Sequence, residues 1–226
     1  MITTIIFDAF GTLFKVGEGG SAKKIIHNIV ANNKVVDYEM FVDEWKEYYK
    51  RYTTSETEFM TERDIFVSRI KMFYDRFGVS RSAEEDTDAL LDAAFEREVF
   101  EEAKEVIEEL RKDYWVLIGS NTDNDVLEAV MNKNGIIVDK VYTSENLKCY
   151  KPNQMFFNKI LDKNRLSSQE VLFVGDSVSD DILGPKALGI KTVLVDRMTK
   201  NYDFGQDYTV DDLRKLHSIL MAENRK

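Results

Sequence analysis

The spacing of apolar residues changes twice along the chain. Residues 2–7, Ile-Thr-Thr-Ile-Ile-Phe, form a largely β-branched run that stops at Asp8. That composition predicts a strand buried on both faces of a parallel sheet. From about Ser21 to Phe100 no strand pattern occurs and the period becomes helical. Ile25, Ile26, Ile29 and Val30 make one stripe, and Trp45, Tyr48, Tyr49 and Tyr52 a second. Ile65, Phe66, Ile70, Phe73 and Phe77 make a third, and Leu90, Leu91, Ala94 and Phe95 a fourth. Each stripe marks one face of an amphipathic helix. Four such helices with short joins predict a small bundle, entered through a link containing Gly17, Gly19 and Gly20, with Gly78 ending its third helix.

After about Glu101 the two periods alternate. The pattern predicts a helix over Glu101–Lys112, a strand over Tyr114–Ile118, a helix over Asn124–Asn134 and a strand over Asp139–Tyr142. Next come a helix over Asn153–Lys163, a strand over Val171–Val174, a helix over Asp181–Leu188, a strand over Thr192–Val195 and a last helix over Asp211–Met221. Strands alternating with helices imply a mainly parallel sheet with right-handed crossovers. The first strand belongs to that sheet, so the bundle is an insertion. The expected division is a core of residues 1–15 and 101–226 and an inserted cap of residues 16–100.

Composition narrows the function classes. The 226 residues carry a net charge of −10, which disfavours nonspecific binding to nucleic acid or an anionic membrane. A small phosphorylated substrate remains compatible, because a metal or a local cation can attract it. The single cysteine, Cys149, allows no intrachain disulfide and fits a reducing compartment. There is no leader-like N-terminus and no apolar run long enough to span a bilayer, so the expected location is the cytoplasm. A monomer or a homodimer is expected.

Candidate chemistry sits at the strand ends. Asp8 ends the first strand, with Gly11 and Thr12 just beyond it. Ser120-Asn121 follow the second strand, Lys151 precedes Pro152 and a helix, and Gly175-Asp176-Ser177-Val178-Ser179-Asp180-Asp181 follow Val171–Val174. Each has an ordinary reading: a turn residue, a helix cap, a surface lysine, a helix N-terminal charge. A parallel sheet, however, puts all four groups on one edge, where open α/β sheets bind ligands. A carboxylate there can act as a nucleophile through a covalent ester. Several carboxylates together repel, and a divalent cation such as Mg²⁺ relieves that repulsion. Lys151 can balance charge, while Ser120 and Thr12 can hold the oxygens of a transferring group.

These four motifs, in this order, resemble the haloacid dehalogenase superfamily of hydrolases, in the subgroup with a helical-bundle cap, across essentially the whole chain. The resemblance implies a Rossmann-like α/β core with the cap inserted after the first motif. It implies Asp8 as nucleophile, Lys151 as the charge-balancing lysine, and Thr12, Ser120, Asn121 and Lys151 as substrate-binding residues. It further implies Mg²⁺ held by Asp8, the backbone carbonyl of Phe10, Asp176 and Asp181, with Asp180 as the alternative to Asp181.

The motifs disagree on the reaction. Phosphatases of the superfamily carry an aspartate as general acid and base where this chain has Phe10, whereas its 2-haloacid dehalogenases carry an aromatic residue there. Trp45-Lys46 and Tyr52 resemble the dehalogenase cap faintly, with Lys46 where those enzymes use arginine, which it does not replace as a bidentate partner. The acidic fourth motif is instead that of the metal-binding phosphatases, and the dehalogenase tyrosine six residues past the lysine is Phe157 here. The expectation is a Mg²⁺-dependent phosphohydrolase acting through an aspartyl-phosphate on a small metabolite. The alternatives are a metal-independent 2-haloacid dehalogenase using the same Asp8, and a weakly catalytic metabolite-binding member. His27 and His217 lack metal-ligand spacing and are expected on helix surfaces or margins. The tyrosine stripe is expected to pack within the cap, and the glutamates between Glu101 and Glu109 to face solvent.

Overall fold

The computed structural model describes residues 1–16, 20–31, 35–54, 58–200 and 203–225. In chain order its elements are β1 (Thr4–Phe7), α1 (Gly20–Val30), α2 (Tyr38–Thr54), α3 (Glu62–Phe77), α4 (Ala83–Phe95) and α5 (Ala103–Leu110). There follow β2 (Trp115–Ser120), α6 (Asn124–Asn134), β3 (Lys140–Thr143), α7 (Ser144–Leu147), α8 (Gln154–Asn164) and β4 (Val171–Gly175). The chain ends with α9 (Gly184–Lys186), β5 (Lys191–Val195), β6 (Tyr208–Val210) and α10 (Leu216–Glu223). It forms two compact units, residues 1–16 with 98–226, and residues 17–97. Gly17 and Gly19 of the expected glycine link lie outside the described residues.

The first unit is an α/β fold with a six-stranded, wholly parallel sheet in the order β3-β2-β1-β4-β5-β6. β1 lies between β2 and β4, with Phe7 opposite both Ile118 and Val174. The chain winds outward from β1 to β3, then returns to the other side of β1 as β4. That reversal is a topological switch point, where the crevice at the C-terminal strand ends receives ligands.

Period-two alternation splits the strands between two apolar layers. Ile5, Phe7, Val116, Ile118, Leu172 and Val174 pack with α5, α6 and α10 on one face. Ile6, Leu117 and Phe173 pack with Phe156, Phe157 and Ile160 of α8 on the other. Each of these side chains is at most 1% exposed. Full burial of one such side chain contributes roughly 1.5–3 kcal/mol, so the sheet is held rigidly behind its C-terminal edge.

Several features depart from the sequence pattern, among them the short helix α7 and the last helix, which starts at Leu216 and not at Asp211. Three-residue β6 is too short to show a period. The expected helix Asp181–Leu188 is instead a π-helical turn over Val178–Leu183 running into α9, with Pro185 in its first turn. Ser177 caps the turn by accepting from the Asp180 N–H.

The second unit holds α1 to α4, the helical insertion between β1 and β2. Its core is Ile25, Ile29, Phe41, Trp45, Ile70, Phe73 and Tyr74, with the rings of Phe41 and Phe73 4.4 Å apart. Thr61 caps α3 at its N-terminus and Gly78, in the left-handed region at φ 62°, ends it. Trp45 belongs to this core, whereas Tyr48, Tyr49 and Tyr52 are half-buried. Tyr48 shares a 2.7 Å hydrogen bond with Ser68.

Candidate active site

The register of the three central strands places the first group of side chains. Asp8 follows β1, its N–H donating to the Val174 carbonyl at 2.8 Å. Ser120 ends β2, and Asp176 follows β4. Ser120 Oγ donates to Asp8 Oδ1 at 3.1 Å, and Lys151 Nζ donates to the same oxygen at 2.7 Å. Lys151, only 2% exposed, also donates to Asp181 Oδ1 at 2.7 Å. The other Asp181 oxygen accepts from the Ser177 N–H at 2.9 Å. Thr12 Oγ1 donates to Asp176 Oδ1 at 3.3 Å.

Two glycines permit this closeness. Gly11 turns the chain at φ 98°, and a Cβ there would collide with the Asp176 carboxylate. A Cβ on Gly175 would collide with the Asp181 carboxylate folded back against it. Both positions have to forgo a side chain for the turn after β1 and the turn after β4 to touch.

The charges are unequal. One carboxylate oxygen from each of Asp8, Asp176 and Asp181 lies within 4.8 Å of the others, yet among the described residues one ammonium, Lys151, pairs with the cluster. Burial, with the nearby Asp8 charge second, pushes the Asp176 carboxyl up to about 6. Asp176 is nevertheless the solvent-facing member of the three, its carboxyl hemmed in at the mouth of the crevice. Burial also raises Asp181, against the pull of a Lys151 ammonium that it shares with Asp8. Burial works against the charge on Lys151, but Asp181 and Asp8 more than offset it and hold the ammonium above its ordinary range. Asp180 is raised by burial as well; it accepts from Ser179 at 2.7 Å and from Asn121 at 3.4 Å.

The donor set suits a divalent cation. All the candidate ligands are hard oxygens; oxygens around an octahedral Mg²⁺ lie about 3.0 Å apart when adjacent and about 4.2 Å when opposed, so a cluster spanning up to 4.8 Å would draw together on binding one. Three carboxylates facing one ammonium also leave negative charge for a dication to balance. The cluster is therefore consistent with the Mg²⁺ site of this kind of fold.

The remaining candidates fall elsewhere or have other partners. Asn121 donates to the Lys151 carbonyl at 3.0 Å and accepts from the Lys151 N–H at 2.8 Å, so its amide holds the lysine's backbone. The Phe10 ring is half-buried, 6.0 Å from that of Phe14. Phe157 is in the core, edge-on to Phe173 at 5.5 Å. Lys46 and His27 are exposed in the second unit, and His217 lies 2.9 Å from Glu109 on the first. Buried Cys149 has its thiol pushed up by desolvation. Among the described residues no helix is long and apolar enough to cross a membrane. Sequence reasoning missed Arg197, two residues past β5 on the same edge; the charged pair Asp196-Arg197 just beyond a buried strand was the available signal.

A parallel sheet with clustered carboxylates and a buried lysine at one edge, and a helical insertion after its first strand, defines a class of hydrolase. Residues 2–189 match the model of the haloacid dehalogenase-like hydrolases, and the chain belongs to that family. It is 25% identical to (S)-2-haloacid dehalogenase 4A of Burkholderia cepacia, over 95% of this chain and 93% of that one. It is 27% identical to ribulose-1,5-bisphosphate 5-phosphatase of Halopiger xanaduensis, over 87% of this chain and 85% of that one. Its fold matches L-2-haloacid dehalogenase from Xanthobacter autotrophicus with chloropropionic acid covalently bound, at a TM-score of 0.74 and 17% identity, covering 98% and 99% of the two chains. Its relatives thus divide between dehalogenases and sugar-phosphate phosphatases.

Proposed function

We propose that the protein is a Mg²⁺-dependent phosphohydrolase acting on a small phosphorylated metabolite through an aspartyl-phosphate on Asp8. The observation that carries this reading is the shortage of positive charge: Asp176 and Asp181 stand beside Asp8, with Lys151 the one cation paired with them among the described residues. A 2-haloacid brings another negative charge to that edge with nothing to balance it. A bound Mg²⁺, held by Asp8, Asp176, Asp181 and the Phe10 carbonyl, would cancel the repulsion and polarise the phosphoryl group.

The chain's own groups do the rest. Lys151 and Ser120 both engage Asp8 Oδ1, which leaves Oδ2 to attack phosphorus. The new Oδ2–P bond replaces the ester P–O bond, and the departing alkoxide takes a proton from water. Thr12 and Ser120 offer hydroxyls, and Lys151 its ammonium, to the charge that develops on the phosphoryl oxygens. Water then cleaves the aspartyl-phosphate. Phe10 cannot supply the leaving-group proton, and losing general acid catalysis costs roughly 10²–10⁴-fold, so the reading favours substrates with good leaving groups. Phe10→Asp is expected to raise the rate.

The test is phosphate release from a panel of phosphate esters with and without Mg²⁺. Wild-type protein should release phosphate only with the metal, and Asp8→Asn should lower the rate by about 10⁴-fold or more. Equal release by both proteins, or none from wild type, removes the proposal.

Two observations favour a second reading. Aromatic Phe10, together with 25% identity to a haloacid dehalogenase over nearly the whole chain, supports 2-haloacid dehalogenation at the same Asp8. Metal-independent halide release from 2-haloalkanoates supports that reading, and its absence across several chain lengths removes it.

A further inference from the structure

Arg197 sits where three parts of the first unit meet. One guanidinium nitrogen donates to Glu102 Oε1 at 2.7 Å and another to the Thr12 carbonyl at 2.8 Å, while the group lies 3.5 Å from the centre of the Phe100 ring. Its side chain is 20% exposed and that of Glu102 only 6%, so Glu102, expected to face solvent with Glu101, Glu105, Glu108 and Glu109, is instead buried by this pairing. A buried ion pair of this kind is a poor source of net stability, because desolvation offsets the attraction. What a planar guanidinium supplies is direction: two N–H groups at a fixed angle, with a flat face to stack.

The direction matters because of what Thr12 does. The turn after β1 closes on itself, with the Leu13 and Phe14 N–H groups donating to the Ala9 carbonyl at 2.8 and 2.9 Å. Its outer side is fastened at two successive carbonyls, Leu13 by the Phe100 N–H at 2.9 Å and Thr12 by Arg197. Its inner side carries the Thr12 hydroxyl that meets Asp176, and Gly11, which leaves no room for a Cβ against the same carboxylate. A shift of the turn therefore moves Asp176 relative to Asp8. Misplacement by about 1 Å can cost a factor of roughly 10² in rate.

We infer that Arg197 is a positioning residue for the nucleophile turn: through the Thr12 carbonyl it sets where Thr12 and Asp176 stand beside Asp8. The catalytic consequence rests on the phosphohydrolase reading; the effect on the turn does not. Arg197→Lys keeps the positive charge near Glu102 without the fork, and Arg197→Met removes both.

The experiment compares these variants with wild type by hydrogen exchange of the peptide covering residues 9–14, by thermal unfolding, and by Mg²⁺-dependent phosphate release. Exchange in the turn should rise at least tenfold in both variants. In Arg197→Lys the melting temperature should stay within a few degrees of wild type, while kcat falls 10- to 100-fold, the Mg²⁺ concentration for half-activation rises several-fold and KM changes little. Wild-type exchange in the turn of Arg197→Lys, with unchanged kcat and Mg²⁺ dependence, would overturn the inference and leave Arg197 as a staple for α5. If Arg197→Met does not fold, Arg197→Lys decides alone. If wild type shows no metal-dependent release, the phosphohydrolase reading fails and the exchange result alone decides whether Arg197 positions the turn.

Discussion

Each unit buries a carboxylate among ionisable neighbours, and the two are provided for in opposite ways. In the helical unit Asp86 accepts from Arg81 Nε at 2.8 Å and Nη2 at 2.5 Å, from the Tyr74 hydroxyl at 2.7 Å and from Asn28 at 3.3 Å. The Arg81 fork holds its carboxyl below the ordinary range, while burial and Asp86 push Tyr74 up to about 12. In the sheet unit one lysine is divided between Asp8 and Asp181, and Asp176 has a single hydroxyl at 3.3 Å. There the carboxyls of Asp176, Asp180 and Asp181 are all raised. A surplus of donors makes an anchor that needs nothing more. A shortage makes a site that is incomplete without a ligand, and perturbed carboxyls in a crevice are the usual mark of one.

The contrast can be broken most forcefully at Lys151. Replacing it with methionine leaves Asp8 and Asp181 buried against each other with no cation. Removing one partner of a buried pair costs about 3–5 kcal/mol, so Lys151→Met should show that loss in denaturant unfolding at neutral pH. A loss under 1 kcal/mol would mean the carboxylates are not competing for the lysine.

Asp86→Asn tests the donor-rich side. Hydrogen bonds to a charged group contribute about 1.5–3 kcal/mol, so the variant should be less stable by an amount in that range at pH 7. Because the folded-state value of Asp86 is depressed, its contribution is present above the unfolded value, about 3.9, and is lost as pH falls through the folded one. The difference between Asp86→Asn and wild type should therefore shrink below about pH 4. A difference independent of pH would point to packing instead of charge.

Asp176→Asn should act with the opposite sign and a smaller size. Its folded-state value is raised to about 6, so its favourable contribution is full below about 3.9 and lost as pH rises through 6. Metal-free Asp176→Asn should then match or exceed wild-type stability above pH 6, by no more than about 1 kcal/mol, since water screens the exposed carboxylate. A clear loss of stability in this variant would show that Asp176 is an anchor like Asp86.

Much of this architecture can be read from the residues, for stated reasons. The strand pattern of Ile2–Phe7 and the alternation after Glu101 specify the parallel sheet, because burial on both faces demands it. Helix Asn124–Asn134 is found at the expected residues, its C-terminus marked by Gly135 at φ 64°. The edge holding Asp8, Ser120 and Asp176 follows from strand direction, once the sheet is parallel; Lys151, beyond β3 and α7, reaches it through the loop before α8. Other features depend on distances that no pattern encodes. The resemblance implies Asn121 as a substrate ligand; that its amide clamps the Lys151 backbone is seen only in the structure. Asp180 and Asp181 are adjacent and chemically alike, but only Asp181 reaches Lys151, because the π-helical turn and side-chain-free Gly175 let it fold inward. Arg197 lies past a strand end that carried no expected motif, and its importance appears only through contacts with residues 95 and 185 positions away.

The central claim is that the carboxylate cluster is completed by a divalent cation. The direct measurement is the thermal unfolding of wild type and Asp176→Asn at pH 7, titrated with Mg²⁺. Binding to the folded state alone stabilises by about 1.4 kcal/mol at ten times the dissociation constant. Wild type should therefore gain melting temperature in a saturating, concentration-dependent way, and Asp176→Asn should not. A wild-type transition that millimolar Mg²⁺ leaves unmoved, or one that moves equally in both proteins, would contradict the account.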